Sequence, residues 1–383
     1  MKVFVIAGEP SGDKLGAALM AGLKELAPGV VFDGVGGAGM IGEGLISRFP
    51  MEELSVMGLA EVLPRYFDLK RRIAEMAEAV LEAQPDVLIT IDSPDFCLRV
   101  AKRVKATSSI RIVHYVAPTV WAWRPRRAEK MAALVDQVLA LLPFEPPYME
   151  AAGVACDFVG HPVVAEPLAT EADAARFRSV AGIGDAPCVL VLPGSRQGEV
   201  ARLAPVFGKV LERVVAVQPD LRVVVPTVSG VRDDVVRLTK TWAGDPLVLG
   251  PDGFDGFASG DAKRAAFRAA DAALAASGTV SLELAAGGTP MVIAYDMAWL
   301  SRQIIGRMLR VDTVTLVNLV SETRAVPEFI GADCVPEKIA PALLDVLDGP
   351  EAQAEAMRLT MERLGAGGEA PGLRAARAVL DRL

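Results

Sequence analysis

The residues able to do chemistry sit in short polar turns that follow apolar runs. Val3–Ala7 leads into Gly8-Glu9-Pro10-Ser11-Gly12-Asp13, and a helical pattern follows from about Lys14. A glycine-rich turn that opens a helix offers backbone N–H groups and a partial positive charge to an anion or to sugar hydroxyls. Ser11 or Asp13 as an N-cap would account for part of the turn. Two carboxylates are more than a cap needs, so Glu9, Ser11, Gly12 and Asp13 are candidate sugar contacts. Ile91-Asp92-Ser93-Pro94-Asp95 ends another apolar run. Pro at a first helical position and Asp in a first turn are ordinary start signals, which gives Asp95 a capping role beside a sugar-binding one. An aspartate ending a buried strand is costly unless bonded or working. Asp92 is therefore the candidate general base, to take a proton from an acceptor hydroxyl.

The second half repeats the arrangement. In Leu192-Pro193-Gly194-Ser195-Arg196-Gln197-Gly198-Glu199 a strand-like run meets a Gly-Ser turn and an arginine. The planar, always-charged fork of arginine suits a diphosphate; an Arg196–Glu199 surface pair is the plain alternative. Ala276-Ser277-Gly278-Thr279-Val280-Ser281-Leu282-Glu283 runs from a strand into a helix start, a seat for an anion. Glu283 lies four residues after Thr279, one turn deeper on the same face. There it could hold the two ribose hydroxyls of a nucleotide whose phosphates rest on Ser277, Gly278 and Thr279; the spacing is too long for a capping box. Asn318 interrupts apolar sequence and could read a sugar or phosphate edge.

Other stretches read two ways. Gly34-Val35-Gly36-Gly37-Ala38-Gly39 is a literal G-x-G-x-x-G, which invites an NAD or FAD site. It follows the second strand-like run, however, and Gly42 and Gly44 cut its helix short, so a close-packed loop is the better account. Trp121 and Trp123 beside Arg124, Arg126 and Arg127 could stack on nucleic acid, anchor at a membrane interface, or simply pack. The apolar stretch Val56, Met57, Leu59, Val62 and Leu63, continued by Tyr66 and Phe67 and bounded by Arg65 and Lys70–Arg72, suits acyl chains or a bilayer surface; an ordinary buried helix is the alternative. Lone His114 reads as a bonded core residue.

The elements that position these turns follow from patterning. Val3–Ala7, Val87–Ile91, Ile110–Tyr115 and Val135–Leu141 read as buried parallel strands, with helical stretches between them such as Leu15–Leu26, Leu69–Ala83 and Phe96–Lys105. After a polar passage near 160–186 the alternation restarts with Cys188–Leu192, Leu221–Val225, Leu247–Leu249, Ala272–Ala276 and Met291–Ala294. The expected fold is α/β: a Rossmann-like domain over 1–165, a second over 166–348, and helices over 349–383 returning to the first. Ligands then belong beyond the carboxyl ends of the strands, in a cleft between two facing sheets.

With 383 residues, 52% apolar and 23% charged, the chain can build such cores. A net charge of −8 argues against bulk electrostatic binding to nucleic acid or to anionic lipid, though a local basic patch would survive it, and no nucleic-acid partner is expected. Two histidines and four scattered cysteines leave no multi-histidine metal site, zinc ribbon or disulfide framework. No phosphate-loop motif of kinases and no Ser/His/Asp set is present. Neither a signal peptide nor an apolar run of about 18 residues occurs, so a cytoplasmic chain is expected.

Taken in order, AGEPSGD, GVGGAGM, SVMGLAEVL, PDVLITIDSPDF, HYVAPTVWAWR, LPFE, FVGHP, LPGSR, SGTVSLE and the NLV before VPEFI resemble the lipid A disaccharide synthases, glycosyltransferases of GT-B architecture. The matches span residues 7 to 330. The resemblance implies transfer of 2,3-diacylglucosamine from its UDP derivative to the 6-hydroxyl of 2,3-diacylglucosamine 1-phosphate, giving a β-1,6 disaccharide phosphate and UDP. It implies an inverting displacement without metal or cofactor. Asp92 would be the base, and Arg196 with the helix start at Ser277–Thr279 would neutralise the leaving diphosphate. It further implies a peripheral position at the inner face of the inner membrane, and leaves open a homodimer. Another nucleotide-sugar enzyme (an epimerase, for example), a nicotinamide oxidoreductase and a lipid-binding module are the competing readings.

Overall fold

The computed structural model of the chain describes residues 1–54, 59–297 and 311–383, and from 59 to 66 the backbone only. Val56 and Met57 of the apolar stretch lie outside the described residues, as do the side chains of Leu59, Val62 and Leu63. The chain divides into two units, one of Met1–Ala165 with Leu364–Leu383, the other of Glu166–Arg363.

In the first unit the strands are β1 (Lys2–Ala7), β2 (Val31–Val35), β3 (Val87–Ile91), β4 (Arg111–Tyr115), β5 (Gln137–Ala140) and β6 (Ala155–Phe158). All pairings are parallel, in the order β2-β1-β3-β4-β5-β6. Val3, Phe4, Val5, Ile6 and Ala7 are wholly buried, because helices cover both faces of a parallel sheet. Each such large side chain removed from water contributes about 1.5–3 kcal/mol. The helices are α1 (Pro10–Leu26), α2 (Ala38–Gly42), α3 (Leu59–Ala83), α4 (Pro94–Thr107), α5 (Arg126–Ala132) and α6 (Pro146–Glu150).

The second unit carries β7 (Cys188–Leu192), β8 (Arg222–Pro226), β9 (Leu247–Leu249), β10 (Ala272–Ala276), β11 (Met291–Tyr295) and β12 (Glu328–Ile330), in the order β12-β11-β10-β7-β8-β9 and again all parallel. Its helices are α7 (Glu171–Val180), α8 (Gln197–Val217), α9 (Arg232–Thr239), α10 (Asp261–Ala269), α11 (Val280–Gly287), α12 (Leu316–Ser321), α13 (Pro336–Asp348) and α14 (Ala354–Arg363). The last helix, α15 (Pro371–Leu380), packs on α1 in the first unit and buries Ala375, Ala376 and Val379. Gln137 Nε2 donates to the Ala378 carbonyl, and Arg382 pairs with Asp157 at 2.9 Å.

Two expectations are corrected here. The returning segment begins at Leu364, not at 349: α14 stays with the second unit, where Thr360 Oγ1 donates to Val317 O and Arg363 to Val320 O. An apolar helical stripe shows that a helix packs but not which core it packs on. The first helix begins at Pro10 rather than near Lys14, with Glu9 as N-cap, because proline already holds the backbone angle of a first helical position.

Candidate active site

Each sheet reverses its strand order once, and there the chain leaves neighbouring strands in opposite directions, opening a crevice at their carboxyl ends. In the second unit the reversal lies between β7 and β10, whose ends are paired at Leu192 and Ala275. A cavity of about 450 Å³ opens there. It is lined by Gly194, Ser195 and Arg196 after β7, by Thr227 and Val228 after β8, and by Ser277, Gly278, Thr279 and Glu283 after β10. Seven residues chosen from the sequence as nucleotide contacts therefore share one wall system within one unit.

The geometry of that wall is specific. Arg196 is the N-cap of α8, and its side chain, 63% exposed, donates to Glu199 Oε1 at 3.2 Å. The pair named as the plain alternative thus exists. Glu199 is only 17% exposed, however, and also accepts from the Ser195 N–H at 3.2 Å and from the Tyr295 hydroxyl at 3.4 Å. It is a post that holds the turn. Burial, followed by the Glu199 charge, pushes the Tyr295 hydroxyl above its ordinary range, so it stays a proton donor to that post. Gly194 adopts φ +124°, and a Cβ there would lie 2.6 Å from Glu199 Cβ, so the turn accepts only glycine without distortion. At the other side Ser281 Oγ donates to Gly278 O at 2.9 Å and locks the start of α11. There the Ser281 and Leu282 N–H groups bond to Gly278 O at 3.3 Å and Thr279 O at 2.9 Å, leaving the N–H groups before Ser281 as those the helix itself does not satisfy.

Glu283 does not stand alone. Lys263, on α10, approaches it at 2.5 Å and also lines the cavity. Sequence reasoning missed Lys263, since one lysine on an amphipathic helix gives no signal. Thr227 and Val228 were also missed, although their place just beyond a strand could have flagged them.

Asn318 is not on this wall. It is fully buried, and its amide donates to Val326 O at 2.9 Å and Thr313 Oγ1 at 3.4 Å while accepting from Val326 N at 3.0 Å. A polar break in apolar sequence marks a buried loop knot as readily as a ligand contact, and here it is the knot.

In the first unit the reversal lies between β1 and β3, paired at Ala7 and Ile91. Asp92 follows β3 directly, half-buried, with its N–H bonded to Tyr115 O at 3.0 Å. Asp92 and Ser93 have φ of +50° and +42°. Two successive left-handed non-glycine residues cost on the order of 1 kcal/mol or more each and are typical of a functional turn. Burial raises the Asp92 carboxyl above the ordinary aspartate range, partly offset by a bond from the Ser93 N–H. The Ser93 hydroxyl is enclosed without a hydrogen-bond partner among the described residues. Asp95 is exposed in the first turn of α4.

The Gly8–Asp13 turn divides. Ser11 is exposed and Glu9 partly so, but Gly12 and Asp13 are buried in α1. Asp13 accepts N–H bonds from Gly37 at 2.8 Å, Gly39 at 2.8 Å and Met40 at 3.0 Å. Its carboxylate holds the G-x-G-x-x-G loop and is not presented as a sugar contact. That loop is close-packed: Gly34 has φ +139°, and a Cβ there would lie 1.8 Å from the Val5 carbonyl oxygen.

Trp121 is corrected as a membrane anchor. It is 7% exposed, its ring meets Phe144 edge-on at 5.1 Å, and its Nε1–H donates to Glu145 Oε1 at 3.3 Å. Trp123 is partly exposed, bonded to Thr119 Oγ1 and covered by Arg124 at 4.3 Å. His114 is a buried, neutral ring bonded to Thr90 Oγ1 at 2.8 Å, its basicity lowered by burial to about 4. Among the described residues no group of three or more His, Cys, Asp or Glu side chains is placed to hold a metal ion.

Comparisons with known proteins follow the same line. The family model described as Lipid-A-disaccharide synthetase matches residues 3–374. A Lipid-A-disaccharide synthase of Ruegeria pomeroyi is 66% identical over 383 residues, covering 100% of this chain and 96% of that protein. Another of Rhodospirillum centenum is 49% identical, covering 99% and 94%. Among solved structures, the UDP-GlcNAc 2-epimerase of Neisseria meningitidis bound to UDP-GlcNAc superposes with TM-score 0.64 at 12% identity, covering 100% of this chain and 99% of that one. The UDP-GlcNAc 2-epimerase of Methanocaldococcus jannaschii, in complex with UDP-GlcNAc and UDP, gives 0.58 at 13%, covering 100% and 99%. At such identities these two show the fold alone, which is the α/β architecture of GT-B glycosyltransferases. The near relatives and the family match decide the rest: this chain belongs to the lipid-A-disaccharide synthases, glycosyltransferase enzymes of lipid A biosynthesis.

Proposed function

We propose that the chain transfers 2,3-diacylglucosamine from UDP to the 6-hydroxyl of 2,3-diacylglucosamine 1-phosphate in one inverting displacement. The observation that carries the donor half is the cavity of the second unit, which gathers an arginine, a helix start and a carboxylate at a strand-order reversal. The helix start and Arg196 take the diphosphate, and Glu283 takes the ribose. Asp92 accepts the proton as the 6-oxygen bonds to the anomeric carbon, and the electron pair of the broken bond leaves on the UDP phosphate. An aspartate held in a strained turn, with its proton affinity raised by burial, suits that task.

The acylated substrates give a reason for a peripheral place at the inner face of the inner membrane. No helix among the described residues is long and apolar enough to cross a membrane. Phe67, 81% exposed at the end of the 56–67 stretch, supports lipid contact there.

The test is purified protein with UDP-diacylglucosamine and the monosaccharide phosphate, separating products on thin layers. A disaccharide phosphate is expected, and conversion of the sugar nucleotide without acceptor would favour an epimerase instead. Asp92→Ala and Arg196→Ala should each lower turnover by about 100-fold or more without unfolding; near-full activity in either removes its role.

A further inference from the structure

We infer that Lys263 is a positioning residue that fixes Glu283 for reading a ribose, and so makes the cavity selective for ribonucleotides; the inference rests on the nucleotide reading of this cavity. The observation is a constraint on one carboxylate. Lys263 Nζ lies 2.5 Å from Glu283 Oε2, and the same ammonium stands 5.2 Å from the centre of the Phe267 ring. Phe267 is 4% exposed and belongs to the core side of α10, so the lysine is braced by a fixed group. Both charged side chains keep contact with the cavity, Lys263 at 44% and Glu283 at 38% exposure. Lysine binds one oxygen and leaves Glu283 Oε1 with no donor among the described residues.

A carboxylate that reads two adjacent hydroxyls must hold one rotamer. A glutamate free to turn on an exposed helix face loses that freedom on binding, which weakens the contact. Lys263 removes the freedom beforehand. The charges point the same way. The wall carries two cations, Arg196 and Lys263, and two anions, Glu199 and Glu283. Without Lys263 the wall would be negative toward an anionic ligand, and Glu283 would repel the nucleotide it is meant to hold. Lys263 therefore does two things at once: it orients the acceptor and cancels its charge.

The ligand series UDP and 2′-deoxy-UDP isolates the first of these. The wild-type enzyme should bind UDP about tenfold or more tightly than 2′-deoxy-UDP in calorimetry, the loss expected for one hydrogen bond to a charged group. Lys263→Met and Lys263→Gln should bring that ratio to within about twofold, and Lys263→Arg should restore it. Adding Lys263→Met to Glu283→Gln should leave the ratio where Glu283→Gln alone puts it. Melting curves without nucleotide check that each variant is folded, and two uncharged variants guard against one failing. A ratio unchanged in both Lys263→Met and Lys263→Gln overturns the inference while leaving the cavity a nucleotide site. Wild-type enzyme that fails to bind UDP overturns the nucleotide reading itself, and the inference with it.

Discussion

Asp13 offers a sharp separation between holding a loop and touching a substrate. Its carboxylate, 8% exposed, accepts from Gly37 and Met40 on Oδ1 and from Gly39 on Oδ2. Asp13→Ala strands three donors, each at roughly 1–3 kcal/mol, and water entering the vacated space recovers part of the loss; about 3–5 kcal/mol is expected. Asp13→Asn keeps an oxygen for Gly37 and Met40 but turns an NH₂ toward the Gly39 N–H, at a cost of about 1–3 kcal/mol. Against a domain stability on the order of 5–15 kcal/mol, the Asn variant folds and the Ala variant is marginal. A two-unit chain is a poor subject for one global unfolding curve. Hydrogen–deuterium exchange of the 36–45 peptide reads the loop directly. A 2 kcal/mol smaller opening energy speeds exchange about 30-fold in Asp13→Asn, while UDP binding, which the proposed function assigns to the cavity of the other unit, should stay as in wild type. Protection within threefold of wild type together with a turnover loss above 100-fold would refute the reasoning, because Asp13 would then act on substrate.

Further outcomes are expected. If Asp92 is the base, activity falls as pH drops through its raised pKa, so the acidic limb of kcat/KM lies above the ordinary aspartate range; a pH–rate profile with a limb in the ordinary range contradicts this. Burial pushes Glu145, 4% exposed, up to about 7, above its unfolded value. Its stabilising effect is therefore complete below pH about 4.5 and is lost as pH rises through about 7, up to roughly 3 kcal/mol. The hydrogen–deuterium exchange protection of the 137–150 peptide in wild type relative to Glu145→Gln should shift over that window, and a flat difference argues against it. Gly34→Ala should cost more than about 4 kcal/mol and yield little soluble protein, because its Cβ would meet the Val5 carbonyl; a variant melting as wild type does would show that the loop is not close-packed.

The central strands were legible because a parallel strand covered on both faces must be apolar throughout. Val3–Ala7, Cys188–Leu192 and Ala272–Ala276 are such runs. The edge strands β6 and β12 were not read, since exposure lets polar residues such as Asp157 and Glu328 stand in them. Gly194, Ser195, Arg196, Ser277, Gly278 and Thr279 of the cavity were legible too, each following a buried run in a turn rich in glycine and hydroxyls, whereas Thr227, Val228 and Lys263 were not. What sequence spacing cannot carry is partnership across the fold. Glu283 meets Lys263, Asp13 reaches the amides of a loop more than twenty residues away, and Asn318 closes on Val326. Trp121 turns inward to Glu145.

The sequence by itself determined two parallel sheets, the turns at their strand ends, and the chemical types gathered there. Only the tertiary structure decided which of those polar groups are spent on the protein itself and which remain turned to the cavity. Hydrogen bonding saturates: a carboxylate or amide enclosed by backbone donors has little capacity left for a ligand, and that accounting needs every neighbour in place.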